Sequence, residues 1–345
     1  MLLWTASDDP AVKQQLIPLE DAVEWEAALH DLPHSFAQTS RYCSAIAQTT
    51  GQGTFLYTAE GPAGRVVCPV AERRYQNDFD IVSLFGNGGF TGIGTIPDFA
   101  SEWSSFMRDQ GYVCAYIALN QVFDWTCLFP VEQLHRQGTM FSIDLSSGLD
   151  DLNDKIGRNN RRLLKRWAET GAMLLFDQNR LKTAFVQLYP NFIDDVGAGD
   201  VYDLKNETFS TLFGLEDVYL IGAERGGTIE AVRCFISTPN VADAFLEANV
   251  PGIQDHSRAI YWAAIKHFKQ RNVALLNMGG GIEDGDSLTF FKSGFATERR
   301  PFFSIKQIFD GERFEALCRT AGMAPDTTGY FPPYHQTVSK YVEAL

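Results

Sequence analysis

Apolar and polar positions along the chain fall into two series of elements that share one order. In the first series, residues 18–29 and 40–49 have helix-like spacing, and the second stretch opens on the capping residues Thr39 and Ser40. Residues 55–59 and 65–75 are β-rich runs separated by Glu60-Gly61-Pro62-Ala63-Gly64, a turn whose glycines admit positive φ, so a hairpin is expected. A strand over 81–85 leads into the glycine-rich segment 86–94, followed by a helix over 97–109 and strands over 112–119 and 140–145. In the second series, strands 218–224 and 228–237 flank Arg225-Gly226-Gly227, and 242–249 alternates as a third strand. Residues 257–270 put Ile260, Tyr261, Ala264, Ile265 and Phe268 on one helical stripe, and 273–278 reads as a short buried strand.

Gly64 and Gly227 lie about 160 residues apart, as do the helix-then-strand units that begin near Trp103 and Tyr261, which is the mark of a repeated unit. The pattern predicts a mixed α/β protein of two tandem units, 1–142 and 143–345, each a central, mostly antiparallel sheet flanked by helices. A doubly wound dinucleotide fold would alternate strand and helix from the start, and that class is rejected.

One stretch stands out for charge. Read as a helix over 149–170, it aligns Leu149, Leu152, Ile156, Leu163 and Trp167 on one side and Lys155, Arg158, Arg161, Arg162, Lys165 and Arg166 on the other, with no acid between 155 and 166. The whole chain of 345 residues carries a formal charge of −14, so a polyanion would be met locally if at all. The cations form either a docking face for phosphates or a solvated face balanced by acidic neighbours, and the sequence leaves both open. The six cysteines are dispersed, without a C-x-x-C pair, and read as buried thiols of a cytoplasmic protein. The histidines show no paired metal-ligand spacing, so no metal is expected. The N-terminus lacks a basic region followed by an apolar run, and no run of about 18 apolar residues occurs, so neither export nor a membrane span is expected.

The order of elements, together with Asn277-Met278-Gly279-Gly280-Gly281 and Leu288-Thr289-Phe290-Phe291-Lys292-Ser293-Gly294-Phe295, resembles the FemA/FemB-like branch of the GNAT acyltransferase superfamily. Phe291–Phe295 matches that branch's Phe-Lys-x-Gly-Phe signature residue for residue, and Phe331-Pro332-Pro333-Tyr334 is similar to its C-terminal tail. The resemblance implies two tandem GNAT-type domains and amide formation on an amine acceptor, a small molecule or a nucleotide-linked one. The donor would be aminoacyl-tRNA or acyl-CoA, used as co-substrate, with no tightly bound cofactor; tRNA could dock on the basic helix. The chain departs from the pattern in two places. Residues 181–213 are too short for the coiled-coil arm of peptidoglycan-bridge members, and 252–258 lacks the Q/R-x-x-G-x-G/A spacing that cradles a pyrophosphate. A reading of another class is a non-catalytic double-GNAT module that binds a nucleotide-linked ligand or nucleic acid through 155–166.

Within the transferase reading, Lys292, set among Phe290, Phe291 and Phe295, would stabilise a tetrahedral oxyanion; otherwise it is a lysine whose stem covers aromatics and whose head stays wet. Glu247 is the candidate base. Alternation puts it with Asp243, Phe245 and Asn249 opposite Ala242, Ala244, Leu246 and Ala248, facing either a cleft or solvent. Gly279 and Gly280 would allow close approach of a ligand, Phe291 and Phe295 would line its site, and Arg158, Arg161, Arg162 and Lys165 would bind its phosphates. Asp284 and Asp286 read as turn and helix-capping residues.

Overall fold

The computed structural model describes residues 12–86, 88–123, 125–253, 256–280 and 287–336. Its strands are β1 (Lys13–Pro18), β2 (Thr54–Gly61), β3 (Gly64–Tyr75), β4 (Asp78–Val82), β5 (Thr91–Gly94), β6 (Cys114–Ala118), β7 (Leu134–Asp144), β8 (Ala172–Leu175), β9 (Val218–Arg225), β10 (Thr228–Ser237), β11 (Val241–Asn249), β12 (Leu275–Gly280) and β13 (Glu298–Ile308). Its helices are α1 (Ala22–Leu29), α2 (Ser40–Thr50), α3 (Phe99–Asp109), α4 (Leu149–Lys155), α5 (Gly157–Ala168), α6 (Gln178–Val196), α7 (Asn206–Leu212), α8 (Ser257–Gln270), α9 (Ser287–Ser293) and α10 (Gly311–Thr320).

All the strands join one mixed sheet in the order β1-β2-β3-β4-β6-β13-β7-β12-β11-β10-β9-β8, with β5 added to β3. Each half supplies the antiparallel hairpin, third strand, helix and parallel strand expected of it, but the middle of the sheet is an exchange. β13, from the end of the chain, pairs with β6 through Ser304↔Ala118 and its neighbours, while β7 pairs with both β13 and β12. One core lies under α1, α2, α6 and α7 and draws on both halves, from Phe36 and Tyr42 to Phe185 and Phe209. On the opposite face α8 and the α4–α5 pair cover a core around Phe235, Tyr261 and Phe268, and α3 covers another around Tyr57, Phe90 and Trp103. The tail closes against the first half, where Tyr334 and His335 reach the buried Asp80, itself paired with Arg73.

The structure corrects several expectations. Residues 13–18 form an edge strand on β2, and the first helix starts only at Ala22, after Asp21 accepts the Glu24 amide at 3.1 Å. The single helix expected over 149–170 is two helices, because Gly157 adopts φ +75 and breaks the run. The break shifts the stripe: Leu152, Ile156 and Asn160 are buried and Leu164 and Trp167 pack on the core, while Leu149 lies exposed. Five of the cysteines are buried but Cys127 is exposed. Among the described residues no helix is long and apolar enough to cross a membrane, and no group of three or more His, Cys, Asp and Glu side chains is placed to hold a metal.

Candidate functional site

The second half of the sheet opens where β11 and β12 part. Their parallel pairing runs from Val241↔Leu275 to Asp243↔Asn277 and stops there. β12 continues to Gly280 along β7, whereas β11 shifts register against β10 between Leu246 and Ala244, leaving Phe245 as the extra residue of a bulge. At the last shared rung the buried Asn277 amide donates to Asp243 at 2.7 Å and its oxygen accepts the Gly279 amide at 3.0 Å. Gly279 has φ +76, and a Cβ there would lie 3.3 Å from Lys292 Nζ. The lysine therefore approaches this turn where only glycine fits well.

Lys292 is buried, at 8% exposure, and its ammonium donates to the Gly280 carbonyl at the end of β12. Phe295 is fully buried beside it in sequence and Phe291 packs on the same core, but Phe290 is 72% exposed and does not enclose the lysine: on α9 it points away from the face that holds Phe291 and Lys292. A cation held with partial desolvation interacts far more strongly with a nearby developing charge than one in water.

Asn160 fixes this turn in place. Its Nδ2 donates to the carbonyls of Ile156 at 3.0 Å and Gly294 at 2.9 Å, and its Oδ1 accepts Arg258 Nε at 3.1 Å. A Cβ on Gly294 would come within 2.7 Å of Asn160 Nδ2, so the glycine of the signature is needed for this contact. Arg258 lies over the Phe291 ring at 5.3 Å, and Tyr261 packs on Phe291 and Phe295 with ring centroids 5.6 and 6.2 Å away. No motif marks Asn160, although a polar residue on an apolar stripe four positions after Ile156 is a usable signal.

Glu247 stands elsewhere than its alternation implied. Because of the Phe245 bulge, Leu246 and Ala248 face the core shared by both halves, whereas Ala242 belongs to the core under α8. Glu247 thus lies on the α8 side, half-buried, in an ion pair with the buried Arg233. Arg233 in turn donates to the Tyr261 hydroxyl at 3.0 Å and sits over that ring at 4.6 Å. Burial pushes the Tyr261 phenol upward despite Arg233, so it stays protonated. Glu247, Arg233, Tyr261 and Phe291 form one chain of contacts that ends at the α9 turn.

The cations of 155–166 divide. Arg161 is held by Asp154 at 2.8 Å and by the Asn153 carbonyl at 2.9 Å, and Lys155 donates to Ser147 at 3.1 Å. Arg158, Arg162, Lys165 and Arg166 are exposed on α5. The same helix is pinned to the start of α8 through Trp167 Nε1, which donates to His256 Nδ1 at 2.9 Å, while His256 Nε2 meets Glu230 at 2.7 Å. Gly281, Asp284 and Asp286, and Gln254 and Asp255 of the segment before α8, lie outside the described residues.

The corresponding opening in the first half is filled. β4 and β6 pair only through Ile81↔Ala115 and Val82↔Tyr116. Beyond them Gln38 donates to the Gly89 carbonyl at 3.0 Å and accepts the Ser35 amide at 2.8 Å, and Asn120 reaches Ser35 at 3.3 Å, all of these side chains buried. Gly89, at φ +66, would bring a Cβ within 2.6 Å of the Ala118 carbonyl. The glycine-rich segment is a plug for its own sheet.

No family model matches the chain, and no curated protein matches it either. Solved structures do. FemX aligns with a TM-score of 0.64 at 10% identity, over 88% of this chain and 99% of FemX. The C-terminal DUF2156 domain of an Agrobacterium fabrum protein assigned as a lysylphosphatidylglycerol synthetase gives 0.57 at 11%, over 86% and 92%. L-PGS from Bacillus licheniformis gives 0.55 at 13%, over 83% and 91%. Likeness at such identity speaks of fold alone, and the fold of this chain is FemABX/GNAT-like.

Proposed function

We propose that this protein forms amides by transferring an acyl or aminoacyl group to an amine acceptor, with the reaction centred at the parted ends of β11 and β12 and the unit 1–142 helping to hold the acceptor. The observation that carries this reading is the buried ammonium of Lys292 at the Gly279–Gly280 turn. As the amine attacks the donor carbonyl, the C–N bond forms and the carbonyl oxygen gains negative charge; an N–H of Lys292 directed at that oxygen stabilises it, and the thioester or ester leaving group then departs. The proton lost by the amine passes to Glu247, which is held by Arg233 on the same side of the sheet. Phe291 and Phe295 exclude water around the turn. The donor is aminoacyl-tRNA or acyl-CoA, with the exposed Arg158, Arg162 and Lys165 meeting its phosphates. One structural neighbour bears a name that denotes an aminoacylated product, lysylphosphatidylglycerol, which supports the aminoacyl branch.

A second reading, a non-catalytic module that holds a nucleotide-linked ligand or nucleic acid on α5, draws on the same exposed cations. Incubation of the full chain with acyl-CoA or aminoacyl-tRNA and a panel of amines, with mass detection of the amide, tests the first reading. Product from the native chain and none from Lys292→Met supports the transferase; no product with either donor class favours the module.

A further inference from the structure

A cavity of about 720 Å³ lies between α3 and the segment 127–133, and its described lining includes no residue of β11, β12 or α9. Its apolar part comes from the core under α3, where the Phe99 and Phe129 rings meet edge to face with centroids 5.6 Å apart. Gln307 of β13 enters from the sheet. It lies two residues beyond Ile305, which places it on the face that α3 covers, and it is 7% exposed.

A carboxamide buried to this degree ordinarily has its polar atoms paired. Gln307 Nε2 donates to Gln133 Oε1 at 3.3 Å and to the Ala100 carbonyl at 3.5 Å. The Ala100 carbonyl can only accept, which turns the Gln307 nitrogen toward α3 and its oxygen away. That oxygen meets no donor among the described residues. Gln133, half-buried on the 127–133 wall, commits its Oε1 to Gln307, and its own Nε2 meets no acceptor among them. Two linked carboxamides thus keep one acceptor and one donor spare, each sharing a carboxamide with one end of the bond that joins them. This middle stretch carries no charge. The one carboxylate and the one guanidinium of the described lining, Asp98 and Arg108, stand exposed at the N-cap and in the last turn of α3, about 15 Å apart along the helix.

We infer that this cavity binds a small, flat, uncharged molecule through a carboxamide-type edge, an N–H and a C=O side by side. The N–H donates to Gln307 Oε1, the C=O accepts from Gln133 Nε2, and the body of the ligand packs on Phe99 and Phe129. Such an edge satisfies both spare groups at once, and the volume is within the range of small-ligand sites, roughly 300–1,000 Å³. The site does not rest on the transferase reading. An open primary amide and a ring lactam present the same edge, and the probes separate them.

The test is calorimetric titration of the full chain with benzamide, the open amide, and uracil, the ring lactam, against methyl benzoate, which keeps the ring and carbonyl but lacks the N–H. Cys127 lines the same cavity and is exposed while the other five cysteines are buried, so the rate of its modification by methyl methanethiosulfonate reads occupancy directly. Benzamide or uracil should bind about tenfold or more tightly than methyl benzoate and slow the modification, and the tighter of the two identifies the edge. Gln307→Met, which keeps the side chain's length and loses the acceptor, should bring that preference below about twofold. Gln133→Met, on the half-buried wall, should reduce it as well and serves if the first variant does not fold. No binding of benzamide or uracil at millimolar concentration, no preference over methyl benzoate, binding that leaves Cys127 as reactive as before, or a preference that survives these substitutions would overturn the proposal.

Discussion

The two halves of the sheet are built alike and finished differently. In each, a parallel pair of strands runs together for two or three rungs and then separates. In the first half the separation is closed by Gln38, Ser35, Asn120 and Gly89, whose polar groups satisfy one another. In the second half it ends at a glycine turn faced by a buried lysine, with arginines, a carboxylate and exposed cations ranged around it. The repeated unit thus ends in a set of mutually satisfied polar groups in one copy and in a glycine turn with a buried lysine in the other, and the distinction lies in which side chains occupy the parting of the strands.

The sharpest way to break this comparison is to exchange the lesions. Lys292→Met should lower kcat and kcat/KM together by about 10²–10³, the loss expected for one oxyanion donor, while Gln38→Leu should leave kcat within about threefold at 25 °C. Equal kinetic damage from both would show that the reaction does not belong to the second opening. Next in size, Gly89→Ala forces a side chain at positive φ against a backbone oxygen and should cost about 2–3 kcal/mol, seen as a fall in Tm of roughly 5–10 °C. Gly279→Ala carries a like strain at φ +76 but meets only the tip of Lys292, so it should cost less in Tm than Gly89→Ala while also lowering activity. Asn160→Ala, which releases the α9 turn from α5, should reduce kcat about tenfold and stability by about 1–3 kcal/mol, with circular dichroism unchanged.

The smallest effect is a pH dependence confined to the second half. His267, stacked on Tyr219 at 3.8 Å, is pushed down to about 4, first by burial and then by Arg271. Its folded form resists the proton that the unfolded chain accepts near pH 6.5, so its contribution is complete above that pH and is lost as pH falls toward 4. His267→Phe should therefore flatten the Tm–pH curve between pH 6.5 and 4 by no more than about 1 kcal/mol, since the ring is half open to solvent. A variant with the native slope would remove this histidine from the account.

Local pattern carried much of this architecture. The stripe over 257–270 is α8 to the residue, and both hairpins lie where the glycine turns put them. What escaped depends on contacts distant in sequence. β1 has too short a run to announce itself and is defined by pairing with β2 some 40 residues on. The faces of β11 invert at a bulge that no alternation rule contains, so the surroundings of Glu247 could not be read from spacing. Gly157 broke a helix that its neighbours' periodicity made look continuous. At the site, Phe291-Lys292-Ser293-Gly294-Phe295 was visible as a motif, whereas its clamp, Asn160, lies 134 residues earlier and becomes meaningful only when α5 packs beside the turn.

The exchanged strand has a consequence for how the chain is made. β6 emerges from the ribosome about 180 residues before β13, its partner in the finished sheet. At ordinary synthesis rates of 5–20 residues per second that is a wait of roughly 10–40 s. Throughout it, the nascent first half presents an unpaired strand edge bearing Ala115, Ile117 and their backbone amides, the kind of edge on which chains join one another. Ribosome-bound chains halted before residue 298 should thus be the most aggregation-prone species this protein ever forms, and β13, the last strand among the described residues, is the one that seals both halves at once.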